Sequence, residues 1–440
     1  MASAQISDVV VQFVACHWIR VLASVVLFIG TYRWVKRETR APYTPSTLLV
    51  PSTSTYPSMA YTTRHKIPAH QFIDDLLQGR IELRDAQSGQ GMERIADVVS
   101  FRFDLVLAWR VLRTFMATAH SESRDRHSIE KYVLASDSLL EEVLGPDRLP
   151  LVGYLREGVP DQLEKHLMIQ MQRIANEYLD LDSDDRLLDV NAQWGDLAVY
   201  LAHDYQVPTC AIVATSSQLA HATNLTGESQ VQQFLRFVMG DYRAVNKCLS
   251  LGVPLFTKVL ALEALDMVGS RNVPAFLRAL NAAMEVDGRL LLQLTSTPSS
   301  LGSRPTAAQT RQSLDYEGLD DDAITQASGE GERAEHWWYH WFRQHYIQPG
   351  ADTSMLISVE QVMAELQKAG FEVLQVESLT ADAALTTAVW CNRLCASKRQ
   401  IEVELGEDIY RAWELYLNWT QSLYARARLH KHFILAVKRF

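Results

Sequence analysis

From Leu187 to Thr223 the chain reads LLDVNAQWGDLAVYLAHDYQVPTCAIVATSSQLAHAT, a strand, sharp turn, helix, strand and helix in quick succession. Leu187 to Val190 form a short apolar strand, and the helix after the turn sets Leu197, Tyr200, Leu201 and Tyr205 on one side. Ala211 to Ala214 supply the second strand. This is the start of a nucleotide-type α/β fold. In such folds the first turn presses backbone against a cofactor; here it is Asn191, Ala192, Gln193, Trp194 and Gly195, with a single glycine.

The alternation continues downstream. Val259–Leu262, Gly288–Thr295, Phe371–Glu377 and His432–Val437 read as strands, and Val273–Met284, Val359–Ala369 and Glu407–Ala427 as helices. Strands alternating with helices imply a mainly parallel sheet covered on both faces, with ligands outside the carboxyl ends of the strands. The closing stretch Tyr424–Lys438 reads as a solvated helix end followed by a core strand, with membrane-surface contact as the alternative. A chain of 440 residues, 48% apolar, has room for one large catalytic domain plus extra segments. Its net charge of -10 argues against nucleic acid as the main partner. Five scattered cysteines argue against a disulfide framework.

The N-terminus stands apart. Val9 to Tyr32 is a mostly apolar run about long enough to span a bilayer, with Arg20 near its middle. Arg33, Lys36, Arg37 and Arg40 follow it and only Asp8 precedes it, so the positive-inside rule leaves the rest of the chain cytosolic. A mitochondrial presequence or a buried hydrophobic helix are the other readings. The expected organisation is an anchor over 1–40, a Pro-, Ser- and Thr-rich tether over 41–69, a helical pre-domain over 70–126 and an α/β domain over 127–440. Within the last, 296–335 reads as an irregular insert, a lid or a disordered segment.

From His127 onward the order of HSIEKYVLASDSLLEEVLGPDRLPLVGYL, LLDVNAQWGDLAVYLAHDYQV, IVATSSQLAHA, GDYRAV, LEALDMVGSRNVPAFLRAL, GRLLLQLTS, HYIQPG, SVEQVMAELQKAGFEV and YRAWELYLNW resembles the cyclopropane-fatty-acyl-phospholipid and mycolic-acid cyclopropane synthase family. The resemblance implies a Rossmann-like class I methyltransferase fold, S-adenosylmethionine as cofactor, and an unsaturated lipid or other apolar small molecule as substrate. It maps cofactor contacts onto Asp189, Asn191, Trp194, Gly195, Thr215, Gln218, Asp241 and Tyr242. Asn191 and Gln193 replace two of the family's loop glycines, with Asn191 the easier to accommodate in left-handed backbone. Pro150 and Leu151 stand where the family has Tyr-Ser.

The family's base is a bicarbonate held by Cys, Glu, His and Tyr; the corresponding positions here are Val152, Asp266, Gln293 and Ala383, which puts bicarbonate in doubt. Asp266, Glu263 and Tyr154 remain as candidate catalytic groups. Each candidate also has a purely structural reading: Asp189 as a helix cap, Trp194 as core, Gln218 and Tyr242 as surface positions, Asp266 as a cap. His336 and His340 have the i,i+4 spacing of metal ligands but lack a third, and an aromatic helix covering an acyl site fits EHWWYHWFRQHY better, so no metal is expected. Two functions follow: a membrane-tethered C-methyltransferase, or a degenerate relative that keeps the fold without methyl transfer.

Overall fold

Seven strands form one sheet: β1 (Leu187–Asp189), β2 (Thr209–Val213), β3 (Leu235–Met239), β4 (Phe256–Leu262), β5 (Met284–Ser296), β6 (Phe371–Ser378) and β7 (His430–Lys438). The computed structural model describes residues 67–80, 99–101, 106, 139–145, 148–155, 162–229, 231–249, 254–269, 272–298, 321–347 and 357–440. The strand order is β3-β2-β1-β4-β5-β7-β6. The β3-β2, β2-β1, β1-β4 and β4-β5 pairs are parallel, while β7 runs antiparallel to both β5 and β6. The order reverses direction at β1, so the crevice at the carboxyl ends of β1 and β4 is the topological switch point where such sheets bind ligands.

The described helices of eight residues or more are α1 (Ala69–Leu77), α2 (Leu163–Arg173), α3 (Asp196–Tyr205), α4 (Ser216–Glu228), α5 (Val273–Ala283), α6 (Asp321–Phe342), α7 (Val359–Lys368), α8 (Thr380–Ala396), α9 (Lys398–Leu405) and α10 (Glu407–Ala425). Side chains alternate across the sheet, so Leu188, Ile212, Val259 and Leu292 meet Phe276 and Leu280 of α5 and Val362 and Leu366 of α7. On the other face Ala211 and Val213 meet Ala198 and Ala202 of α3. Helix α7 starts in a capping box, with Ser358 accepting from the Gln361 N–H and Gln361 accepting from the Ser358 N–H.

The parallel sheet with helices on both faces is as expected, and three details differ. The stretch expected to be irregular is helical from Asp321. Its aromatic end docks on α10: Tyr339 lies edge-on to Trp419 at 5.5 Å, its hydroxyl bonds Thr420 at 2.8 Å, and Glu335 accepts from Trp419 Nε1 at 3.2 Å. That packing outweighs the local cost of Gly329 and Gly331 in the helix. Strand β3 and helices α2, α8 and α9 carry no strong sequence period. The C-terminal segment is less solvated than expected, for Lys431 is buried.

The apolar run 9–32 and most of the tether lie outside the described residues, as does most of the pre-domain. Of the latter, α1 buries Phe72, Ile73 and Leu76, and Ile67–Pro68 pairs in parallel with Val99–Ser100. Among the described residues no helix is long and apolar enough to cross a membrane.

Candidate active site

Two adjoining hollows open at the carboxyl ends of β1 and β4, sharing Pro150, Asn191 and Gln193. The first is bounded by Asp189, Trp194, Gly195, Asp196, Arg148 and Leu262. The second is a cleft of about 180 Å³, partly open to solvent, with Glu263, Asp266, Arg343 and Lys431 at its polar end and Leu140, Val143, Trp390, Trp413 and Leu417 among its apolar walls.

The turn after β1 shapes the first hollow. Gln193 (φ 53) and Gly195 (φ 98) occupy the left-handed region, and Asn191 does not. Asn191, the easier of the two glycine replacements to accommodate, is therefore not asked for that geometry, and Gln193 is. Asn191 instead ties two strands together: its N–H donates to Asp189 Oδ1 at 3.1 Å and its side-chain amide to the Leu262 carbonyl at 2.9 Å. Gly195 is required twice, by its φ and because a Cβ would meet Ala222 and the Phe237 ring at 2.9 Å.

Asp189 is buried, and that burial raises its carboxyl to about 7 against the smaller pull of the Asn191 N–H. An unfolded chain loses this proton near pH 4 and the folded one near 7, so between those values the folded state holds more protons. Stability is therefore expected to fall as pH rises from 4 to 7, with a slope of at most about 1.4 kcal/mol per unit. Urea titrations across that range check this; Asp189→Asn is expected to flatten the slope, and an unchanged slope would assign it to other groups.

Of the remaining cofactor candidates, Gln218 lines the cleft and its Oε1 accepts from the Ala214 N–H at 3.1 Å. Trp194 is buried edge-on to His221. Thr215 caps α4 by accepting from the Gln218 N–H. Asp241 accepts from the Arg243 N–H and pairs with its guanidinium, and Tyr242 packs edge-on to Phe276 at 5.4 Å. Thr215, Asp241 and Tyr242 lie outside the lining of both hollows.

The catalytic candidates separate in the same way. Tyr154 is not among the cleft-lining residues; its ring lies under the Arg173 guanidinium at 4.3 Å. Its neighbours hold the cleft wall, with the Gly153 N–H donating to Thr386 Oγ1 at 3.1 Å and the Leu155 N–H to Asp382 Oδ1 at 3.0 Å. Glu263 and Asp266 do come together. Glu263 follows β4 with φ 56, and the Asp266 N–H donates to its carbonyl at 3.2 Å.

Two cations that sequence reading missed complete this cluster. Lys431 pairs with Glu263 and donates to Thr295 Oγ1 at 3.0 Å; Arg343 Nη2 lies 3.5 Å from Asp266 Oδ2. Antiparallel pairing explains Lys431: β7 begins where β5 ends, with Lys431 opposite Thr295, so its first residues reach the carboxyl end of the parallel strands. Arg343 opens the π-helical turn Arg343–Ile347 after α6, a deviation common at functional sites. Asp266 Oδ1 is buried without a hydrogen bond among the described residues. Burial and then the Glu263 carboxylate hold Asp266 above the usual range, against smaller opposition from Arg343, Lys431 and the Thr295 backbone.

Bicarbonate does not fit this floor by its donors. Val152, Asp266 and Ala383 line one cleft, as the resemblance requires, but two of the three are apolar, and the Gln293 amide already donates to Glu263. The His336 and His340 rings lie tilted to each other with centroids 6.3 Å apart, and among the described residues no group of three metal-binding side chains gathers.

The family described as mycolic acid cyclopropane synthetase matches residues 121–433. Sphingolipid C9-methyltransferase A of Emericella nidulans is 24% identical over 82% of this chain and 63% of its own length. The sphingolipid C9-methyltransferase of Candida albicans is 23% identical over 80% of this chain and 62% of its own. The chain thus spans less than two thirds of these curated relatives. Among solved structures, the cyclopropane synthase MmaA2 from Mycobacterium tuberculosis aligns with a TM-score of 0.58 at 18% identity, covering 71% of this chain and 98% of that one. The [4+2]-cyclase SpnF aligns at 0.51 with 17% identity, covering 71% and 95%. These likenesses establish the class I methyltransferase fold. By the family match over most of its length and the sheet built for it, the chain belongs to the mycolic acid cyclopropane synthetase family.

Proposed function

We propose that this protein transfers a methyl group from S-adenosylmethionine to a carbon of an unsaturated lipid, with Asp266 as the base. The observation that carries this reading is the joining of two hollows at the switch point. One is bounded by the β1 turn; the other has an apolar-aromatic wall that ends on a buried carboxylate. The family and the lipid-methylating names of its relatives support the same substrate class.

Asp189, Asn191, Trp194, Gly195 and Gln218 are the residues that would hold S-adenosylmethionine, which supplies a methyl carbon made electrophilic by its sulfonium. Trp390, Trp413, Leu417 and Val143 take the hydrocarbon chain and exclude water, so that an alkene carbon and the methyl donor are held in line. An alkene carbon that gains a methyl leaves its neighbour short of electrons, and a proton must leave for a neutral product to form. Asp266 takes that proton, while Glu263 stays engaged with Lys431 and Arg343 limits the repulsion between the two acids.

The test is to incubate the purified chain with methyl-labelled cofactor and a lipid extract. Label in lipid supports the proposal. Cofactor binding with no transfer supports the second reading, a protein of this fold without methyl transfer, which the apolar Pro150 and Leu151 at the cofactor hollow favour.

The N-terminal run 9–32 is read as a single-pass anchor that keeps the cleft on the cytosolic side, beside its substrate. Deleting residues 1–40 is expected to move the protein from the membrane pellet to the supernatant. A protein that still pellets with membranes after the deletion would place the attachment elsewhere.

A further inference from the structure

We infer that Arg148 binds the carboxylate of the cofactor's amino-acid end, an inference that rests on reading the first hollow as an S-adenosylmethionine site. Among the described residues lining that hollow, Arg148 is the only Lys, Arg or His, and Asp189 and Asp196 are its carboxylic acids. The amino-acid end of S-adenosylmethionine carries a cationic ammonium beside a carboxylate, close to a cationic sulfonium. The two acids match the cations, and Arg148 is the charged group that matches the anion. The segment that carries it, Arg148 to Leu151, otherwise presents only apolar side chains to the hollow.

Arg148 is also fixed in place. Its guanidinium carbon lies 4.9 Å from the centroid of the Trp194 ring, so the arginine and the β1 turn are held against each other. Its side chain is 16% exposed and pairs with Glu141 at 2.5 Å, Glu141 itself being half in solvent. A guanidinium is a planar fork of N–H donors, a shape that suits a ligand carboxylate. The backbone of Arg148 holds a left-handed φ of 43°, and its N–H donates to the Gly145 carbonyl at 3.0 Å.

The test compares two ligands by calorimetry on the full chain. S-adenosylhomocysteine carries the amino-acid end; 5′-methylthioadenosine shares the adenosine and thioether but lacks the carboxylate. Arg148→Gln is expected to weaken S-adenosylhomocysteine by about 10- to 100-fold, the size of one charge-assisted pair, and to change 5′-methylthioadenosine by less than about twofold. Arg148→Lys, which keeps the charge and loses the fork, is expected to fall between. Equal affinity of wild type and Arg148→Gln for S-adenosylhomocysteine, or an equal loss for both ligands, would overturn the assignment. A wild-type protein that binds neither ligand would instead overturn the cofactor reading, and this inference with it.

Discussion

Asp266→Asn is expected to lower methyl-transfer turnover by about 100- to 10,000-fold while leaving the affinity for S-adenosylhomocysteine within about twofold. The asymmetry follows from position. Asp266 lines the deep cleft and not the hollow formed by the β1 turn, so its removal costs a proton acceptor and not a cofactor contact. Asparagine keeps the shape and can still meet Arg343, but it cannot accept a proton. Because burial and Glu263 raise the Asp266 carboxyl, wild-type turnover is expected to climb with pH as that group ionises and then level off, whereas residual turnover in Asp266→Asn should lack that limb. The same shift makes the ionised carboxylate a burden on the folded state, so the variant is expected to melt no lower than wild type at neutral pH. A variant with full turnover would remove Asp266 from the chemistry. One with lower melting and weakened cofactor binding would make it structural.

Lys431→Ala is expected to destabilise the fold by about 3–5 kcal/mol, the usual cost of leaving one member of a buried pair alone. The Lys431 side chain is 7% exposed and that of Glu263 17%, so the pair is largely withdrawn from water. Burial pulls the Lys431 ammonium down, yet Glu263 and its neighbours more than restore it, so the lysine is charged in the fold. The double change Glu263→Gln with Lys431→Met is expected to recover most of the loss, since a buried pair replaced by groups of similar shape is often nearly neutral. Denaturant unfolding of the two single variants and the double measures the coupling. Single losses that simply add would show that the two side chains act separately.

The fold was legible because its parallel core is local in sequence: LLDV, its turn and the helix beyond announce themselves within a few residues, and the later strands repeat the signal. Elements without a strong period escaped. Strand β3 sits at the sheet edge with only Leu235 buried, and α8 carries paired threonines and alanines whose inward face shows only once Thr386 meets Gly153. In the site, Asp189, Gly195 and Asp266 could be found because neighbouring motif residues marked them. Lys431 and Arg343 could not. One arrives through the register of an antiparallel strand and the other from a π-turn beyond α6, and no spacing in the sequence relates either to Asp266. Asn191 suits left-handed backbone by propensity, yet the positive φ falls on Gln193, and the Asn191 side chain is used to reach the Leu262 carbonyl.

The central claim, methyl transfer served by a carboxylate of the protein, is tested most directly by one rate measurement. The full chain is supplied with methyl-labelled S-adenosylmethionine and unsaturated lipid in buffer stripped of bicarbonate, and label entering the lipid is followed before and after bicarbonate is restored. The expected result is transfer in the stripped buffer at a rate that bicarbonate leaves unchanged. Transfer that starts only when bicarbonate is added, or no transfer under either condition, would contradict it.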